Sequence, residues 1–293
     1  MVNDFDKIID EISLKGNEIL INLAATGYVI MPSVTNLKIM VHTLREIFFP
    51  GYFDPCPLNH KTFKYYVGSK VNIIHNLLSE EIKKVFKVAN NFNNKKNTFD
   101  KDYSQELSYE FIKVIPKIRD LLMTDVEAIF YGDPASKDNS EIIYCYPGIK
   151  AITNYRIAHE LTLLDIPLIP RIITEMAHSE TGIDIHPMAK IGDHFAIDHG
   201  TGIVIGETCI IGSNVKIYQG VTLGAKSFPV DEKGHPTKGI PRHPIVEDNV
   251  IIYSGATILG RITIGKNSII GGNVWLTESI PANSKIVLMS KKL

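Results

Sequence analysis

The 293-residue sequence predicts an α+β fold in two parts: an all-α helical domain over residues 1–182, then a left-handed parallel β-helix over residues 183–293. Three observations carry this. Apolar residues recur at helix spacing until about residue 180. Beyond it they recur every six residues, a period that belongs neither to a helix nor to an ordinary strand. The six-residue period then breaks twice, once over a short slip and once over a long loop at 225–243.

In the first part, Phe5, Ile8, Ile9 and Ile12 lie on one helical face, which Ile19, Leu20 and Leu23 continue. Residues 37–49, 71–88, 107–123 and 148–164 read as further helices. A short one at 171–177 follows Pro167 and Pro170. The Asn-rich segment 90–97 reads as an exposed connection.

In the second part, Ile185, Ile191 and Ile197 start three hexads, and Ile205, Ile211, Ile217 and Leu223 start four more after a two-residue slip. Val246, Ile252, Ile258, Ile264, Ile270 and Leu276 resume the pattern. A second column lies four residues after most of these: Ala189, Phe195, Cys209, Val215, Val221, Val250, Ala256, Ile262, Ser268, Val274 and Ile280. Each hexad is one short strand and a tight corner. Three hexads close a triangular coil of about eighteen residues, and coils stack in parallel. Gly192, Gly206, Gly212, Gly265 and Gly271 are expected to suit corners that need a tight or left-handed backbone.

Composition bounds the function. The net charge of −1 gives no basic field for nucleic acid. Cys56, Cys145 and Cys209 are odd in number and far apart, which fits a reducing cytosol. The start MVNDFDK is not a signal peptide, and the apolar stretch 19–30, broken by Asn22 and Gly27, is too short for a membrane span. A cytoplasmic enzyme with no membrane and no nucleic-acid partner is expected.

The slip contains Asp198-His199-Gly200-Thr201-Gly202, and His243 closes the long loop. Function tends to sit where a regular repeat is interrupted. Moving an acyl group from a thioester to a hydroxyl needs a base, a group that orients the base, and donors for the developing oxyanion. His199 is the candidate base. Asp184, fifteen residues earlier, is the carboxylate that the coil length would bring near it. His186 reads as a solvated corner residue and His194 as a surface corner residue, while His178 and His235 lack supporting context. A competing reading puts a zinc ion on His194, His199 and His243, as in γ-class carbonic anhydrases. Another is a non-catalytic scaffold. The expectation adopted is acyl transfer with no metal.

These segments resemble the serine O-acetyltransferase family. The likeness spans roughly residues 120–285: the Tyr155-Arg156-Ile157-Ala158-His159 helix, Asp184-Ile185-His186-Pro187, the slip through Glu207-Thr208, Gln219-Gly220-Val221-Thr222-Leu223-Gly224, and Arg242-His243-Pro244. The resemblance implies acetyl transfer from acetyl-CoA to the L-serine hydroxyl, for cysteine biosynthesis. A related acyltransferase acting on a sugar or xenobiotic hydroxyl is the alternative. It implies His199 as general base with Asp184 as partner, and His243 as a second active-site histidine that positions the substrate. Arg242 would bind the serine carboxylate, and Asp133 and Asp198 its amino group. Gly224, Ala225, Ser254, Gly255 and Gly272 would line the acetyl-CoA groove between neighbouring β-helices. It further implies a homotrimer, pairing of trimers through the helical domains, and inhibition by cysteine. The loop 225–241 is longer than in many family members. The tail 287–293 lacks the family's usual ending, so a complex with cysteine synthase through that tail is not expected.

Overall fold

A computed structural model describes residues 2–23, 31–56, 59–93, 101–227 and 230–288. Seven helices come first among them: α1 (Val2–Leu23), α2 (Val34–Phe48), α3 (His60–Asn93), α4 (Lys101–Gly132), α5 (Asn139–Cys145), α6 (Pro147–Leu163) and α7 (Ile169–Thr181). Part of the segment expected as a connection at 90–97 lies outside the described residues, as do 24–30 and 289–293. Helix α5 was not expected. It is short, and its signal is a cap: Asp138 accepts hydrogen bonds from the Ser140 and Glu141 amides. Helix α7 ends where Gly182 takes φ +71, a left-handed cap open to glycine.

Helix α6 is buried almost all round, with Ile149, Ile152, Tyr155, Ile157, Ala158 and Leu161 inside. It is the central helix that α2, α4 and α7 cover.

Fourteen short strands follow, two or three residues each, and build three parallel faces. The first face stacks β1 (Asp184–Ile185), β4 (Val204–Ile205), β7 (Thr222–Gly224), β10 (Thr257–Leu259) and β13 (Trp275–Leu276). The second stacks β2 (Lys190–Ile191), β5 (Ile210–Ile211), β8 (Ile245–Val246) and β11 (Thr263–Ile264). The third stacks β3 (Ala196–Asp198), β6 (Lys216–Tyr218), β9 (Ile251–Ile252), β12 (Ile269–Ile270) and β14 (Lys285–Ile286). Every residue read as a hexad start lies in a strand. Ile185, Ile205, Leu223, Ile258 and Leu276 form one vertical row, and Ile197, Ile217, Ile252, Ile270 and Ile286 another. This is the left-handed β-helix of the predicted fold class. Each fully buried isoleucine in these rows contributes about 1.5–3 kcal/mol.

The corners differ from expectation. The left-handed residues at one corner are asparagines: Asn214, Asn249, Asn267 and Asn283 have φ of 55°, 59°, 58° and 61°. Asparagine tolerates this region better than other side chains. Each amide donates to the next, at 2.8, 3.0 and 3.1 Å, forming a ladder up the prism. His194, with φ 52, heads the same corner. The glycines that follow strands serve close stacking instead: a Cβ on Gly192 would lie 2.8 Å from the Gly212 carbonyl carbon of the next coil.

The Tyr155–His159 segment closes the open end of the β-helix. Tyr155 donates to the Ala189 carbonyl at 2.6 Å, and Arg156 to the Gly192 carbonyl at 2.8 Å. Arg156 also grips Asp125 through two bonds of 2.6 and 2.7 Å, and Asp125 accepts from the Phe195 amide at 3.0 Å. His159 Nδ1 donates to the Pro187 carbonyl at 2.8 Å. These backbone groups of the first coil are thus satisfied by the helical half, the capping that a solenoid end requires.

Candidate active site

The prism has three corners, and most of the candidate residues gather at two of them. Strand β3 ends at Asp198, and the chain turns there through His199, whose φ is 58. A bulky residue in the left-handed region is uncommon and clusters at functional sites. The turn continues over Gly200, where any Cβ would collide with Ile183 and Ile197. His199 therefore projects outward, its side chain 75% exposed, with Nε2 3.6 Å from Asp198 Oδ1.

Asp198 Oδ2 accepts an ion pair from Lys216 Nζ at 2.9 Å, and Nζ also donates to the Gly132 carbonyl at 2.6 Å. The adjacent Asp133 accepts from the Ala135 amide at 2.8 Å and the Tyr146 hydroxyl at 2.7 Å. Partial burial opposes its ionisation. The two hydrogen bonds and the nearby Lys216 and His199 outweigh that, and hold its carboxyl below the usual carboxylate range. The bond to Asp133, with burial, pushes the Tyr146 hydroxyl up to about 12, so it stays a donor. Asp133, from the end of α4, thus meets Asp198 and His199 from the β-helix. Ser254, Gly255 and Gly272 lie on the same corner, in coils further along.

The His243 corner is built oppositely. The long loop leaves after Gly224 and Ala225 and returns at Arg242 and His243. His243 is 7% exposed and lies flat over Gly206, where any Cβ would overlap its ring. Its Nδ1 accepts from the Thr208 amide at 3.0 Å and meets the Thr208 hydroxyl at 2.9 Å. The Thr208 hydroxyl oxygen accepts from the Arg242 and His243 amides, at 2.9 and 3.1 Å, so its own proton points to Nδ1. Nδ1 is therefore the acceptor and Nε2 carries the proton. Burial, then the charge on Arg242, lowers the imidazole to about 4. Arg242 Nη2 pairs with Glu207 at 2.7 Å. Arg261 fastens the corner by donating to the carbonyls of Thr208 and His243, at 2.7 and 3.0 Å. Within the loop, Val230 and Pro236 form an antiparallel bridge around Asp231 and His235.

Several single residues stand differently from their sequence reading. Asp184 opens the first face, the face that both corners border. It faces helix α7, with Arg171 at 3.9 Å, and shares a cluster with Glu175 and His178. Within one chain it makes no ion pair with His199, because the carboxylate beside His199 is Asp198. His186 is not a solvated corner residue. It is half-buried beside the His243 corner, accepts from the Met188 amide at 3.1 Å, and is lowered by burial and by Arg171. His194, His199 and His243 sit on three different corners, so within one chain they do not form the zinc constellation. Lys216 and Tyr146 escaped the sequence reading, and Glu207 and Thr208 entered it only as part of a motif, without a role. Their partners lie 84, 13, 35 and 35 residues away in the chain.

Residues 243–278 match the bacterial transferase hexapeptide (six repeats) family. A plasmid serine acetyltransferase of Synechococcus elongatus is 51% identical over 259 residues, 87% of this chain and 81% of the relative. A serine acetyltransferase of Bacillus licheniformis is 45% identical over 57% of this chain and 73% of its own length. Among solved structures, serine acetyltransferase 1 of Entamoeba histolytica in complex with L-cysteine aligns with a TM-score of 0.74 and 33% identity, covering 97% of this chain and 100% of that one. Serine acetyltransferase of Neisseria gonorrhoeae in complex with serine aligns with a TM-score of 0.56 and 25% identity, covering 85% and 95%.

Proposed function

The chain belongs to the serine acetyltransferase family, and from that premise we propose that it acetylates the L-serine hydroxyl at a site shared by two copies of the chain. One observation carries the shared site. The expected serine residues divide into Asp133, Asp198 and His199 on one corner, and Arg242 and His243 on another. The expected acetyl-CoA residues divide the same way, into Ser254, Gly255 and Gly272 against Gly224 and Ala225. Both corners border the first face. A ring of three chains with that face turned inward brings the His199 corner of each against the His243 corner of the next, a closed heterologous interface.

At such an interface the roles follow from the chemistry. Asp133 and Asp198, both anionic, hold the serine ammonium. Arg242 receives the carboxylate, sharing its guanidinium with Glu207. His199, exposed and able to take a proton, removes it from the serine hydroxyl as the oxygen attacks. Asp184 is proposed to orient that imidazole when the exposed ring turns toward the first face. Acetyl-CoA supplies the thioester. The proton held on His199 passes to the departing sulfur, giving O-acetylserine and the free thiol. His243, neutral with its proton on Nε2, donates one fixed hydrogen bond that positions the substrate. The small residues at Gly224, Ala225, Ser254, Gly255 and Gly272 leave room for the acyl carrier beside the backbone.

No helix among the described residues is long and apolar enough to cross a membrane. A cytoplasmic enzyme, inhibited by cysteine at the serine subsite, completes the proposal. Pairing of trimers through the helical halves belongs to it as well.

The test is thiol release from acetyl-CoA with a panel of hydroxyl acceptors. Serine should be the best acceptor, cysteine should inhibit competitively with it, and His199→Ala should lose turnover by ~10²–10⁴-fold. A sugar preferred over serine, or near-normal turnover by His199→Ala, would overturn the reading.

A further inference from the structure

Lys216 stands at the centre of the His199 corner, yet no role in the reaction described above calls for it. Its side chain is largely withdrawn from solvent, with an exposure of 14%. It makes two short bonds, to Asp198 Oδ2 at 2.9 Å and to the Gly132 carbonyl at 2.6 Å. Gly132 immediately precedes Asp133. One cation therefore ties a carboxylate of the β-helix to the peptide that carries the carboxylate of the helical half. A third contact steadies it: Nζ lies 4.6 Å from the Tyr218 ring centre, and Tyr218 stacks on Tyr253 with centres 5.1 Å apart and 16° between planes.

Packing alone does not fix this position. The lysine stem lines a cavity of about 320 Å³ that also borders Glu127, Tyr131 and His194, so other rotamers have room. Burial works against the charge on Lys216, but the bond to Asp198 outweighs it and the pKa rises above the ordinary lysine value. The bonds, rather than the space, select the observed conformation.

We propose that Lys216 is a positioning residue for the amino-group subsite, setting the spacing of Asp133 and Asp198 and leaving them one net negative charge for one substrate ammonium. The inference rests on the proposed function, because it takes those two carboxylates as the ammonium subsite. Lys216 holds Asp198 by Oδ2, which leaves Oδ1 for the substrate. Without Lys216, Asp198 is free to swing away from Asp133, and the ammonium loses its two-point grip. Removal also takes away a like charge near the substrate, which favours binding. The inference is that the lost geometry dominates, since the pair is largely buried and the tether spans two parts of the fold.

The experiment compares Lys216→Met, Lys216→Gln, Lys216→Arg and Asp198→Ala in the full-length enzyme, with steady-state kinetics and thermal melting on each. Lys216→Met should raise the serine KM by ~10-fold, the worth of about one charge-assisted hydrogen bond. The acetyl-CoA KM and kcat should stay within about 2-fold. Lys216→Arg, which keeps the charge and can reach both acceptors, should restore most of the serine affinity, with Lys216→Gln between the two. A general folding defect would move both KM values and the melting curve together, and rescue would follow size rather than charge. If Lys216→Met melts too early to assay, the Gln and Arg pair makes the same comparison. An unchanged or lower serine KM in the neutral variants, with Asp198→Ala still raising it, overturns the role of Lys216 and leaves the subsite intact. An unchanged serine KM in Asp198→Ala overturns the subsite itself.

Discussion

The two histidines that interrupt the β-helix share a residue type and little else. His199 stands out from its corner on a left-handed backbone, three-quarters exposed, beside an aspartate whose charge a lysine already meets. His243 lies flat on a glycine, its Nδ1 committed to Thr208 and its backbone carbonyl held by Arg261. One imidazole is exposed and has room to move. The other is locked in one tautomer and held neutral. Environment alone suits the two rings to different duties in the proposed reaction. The two histidines stand at opposite edges of one face, which is why the proposed site needs a second chain.

Breaking the fixed half should remove most of the activity. Gly206→Ala places a methyl group where the His243 ring lies, and only displacement of the ring relieves the overlap. We expect kcat to fall by ~10²-fold, the scale of losing one preorganised donor. The fold should survive, because Gly206 has an ordinary negative φ. Activity near wild type would mean that the position of His243 is not needed.

A smaller effect sharpens the contrast. With its pKa lowered to about 4, the His243 ring should show no proton-NMR titration between pH 8 and pH 5. A histidine near 6.5 in the unfolded chain takes its proton there first. The contribution of His243 to stability is therefore intact above about pH 6.5 and diminishes as the pH falls toward 4. A His243 midpoint between pH 6 and 7 would remove the assignment of a neutral donor.

The period of six made the β-helix legible, since each of the thirteen hexad starts from Ile185 to Leu276 falls in a strand. It did so because each such position faces the prism interior, where burial leaves little choice of residue. The corners were less legible. Glycine and asparagine both tolerate tight backbone, and only the structure separates close stacking at Gly192 from left-handed turns at Asn214. The long helices α2, α3 and α4 were readable from their apolar faces and α6 from its apolar content, whereas α5 is two turns marked mainly by its cap. At the site, interruptions of the repeat pointed to His199 and His243. Their supports did not stand out. Thr208 and Glu207 sit one coil from their partners across the long loop, and Lys216 reaches into another part of the fold. The pairing expected from spacing, Asp184 with His199, is not formed within one chain. The slip makes that coil twenty residues long, Ile185 to Ile205, rather than eighteen, and the His199 ring lies beside Asp198.

The proposed active site takes its His199 corner from one chain and its His243 corner from the next. The most direct test co-expresses His199→Ala and His243→Ala subunits under separate tags and assays the purified mixed assemblies. If the site is shared, every mixed ring of three holds one intact site among its three interfaces, and activity returns to about a third of the wild-type level although each parent is inactive. If every chain carries its own complete site, no mixed assembly holds an intact one, and activity stays at the level of the parents.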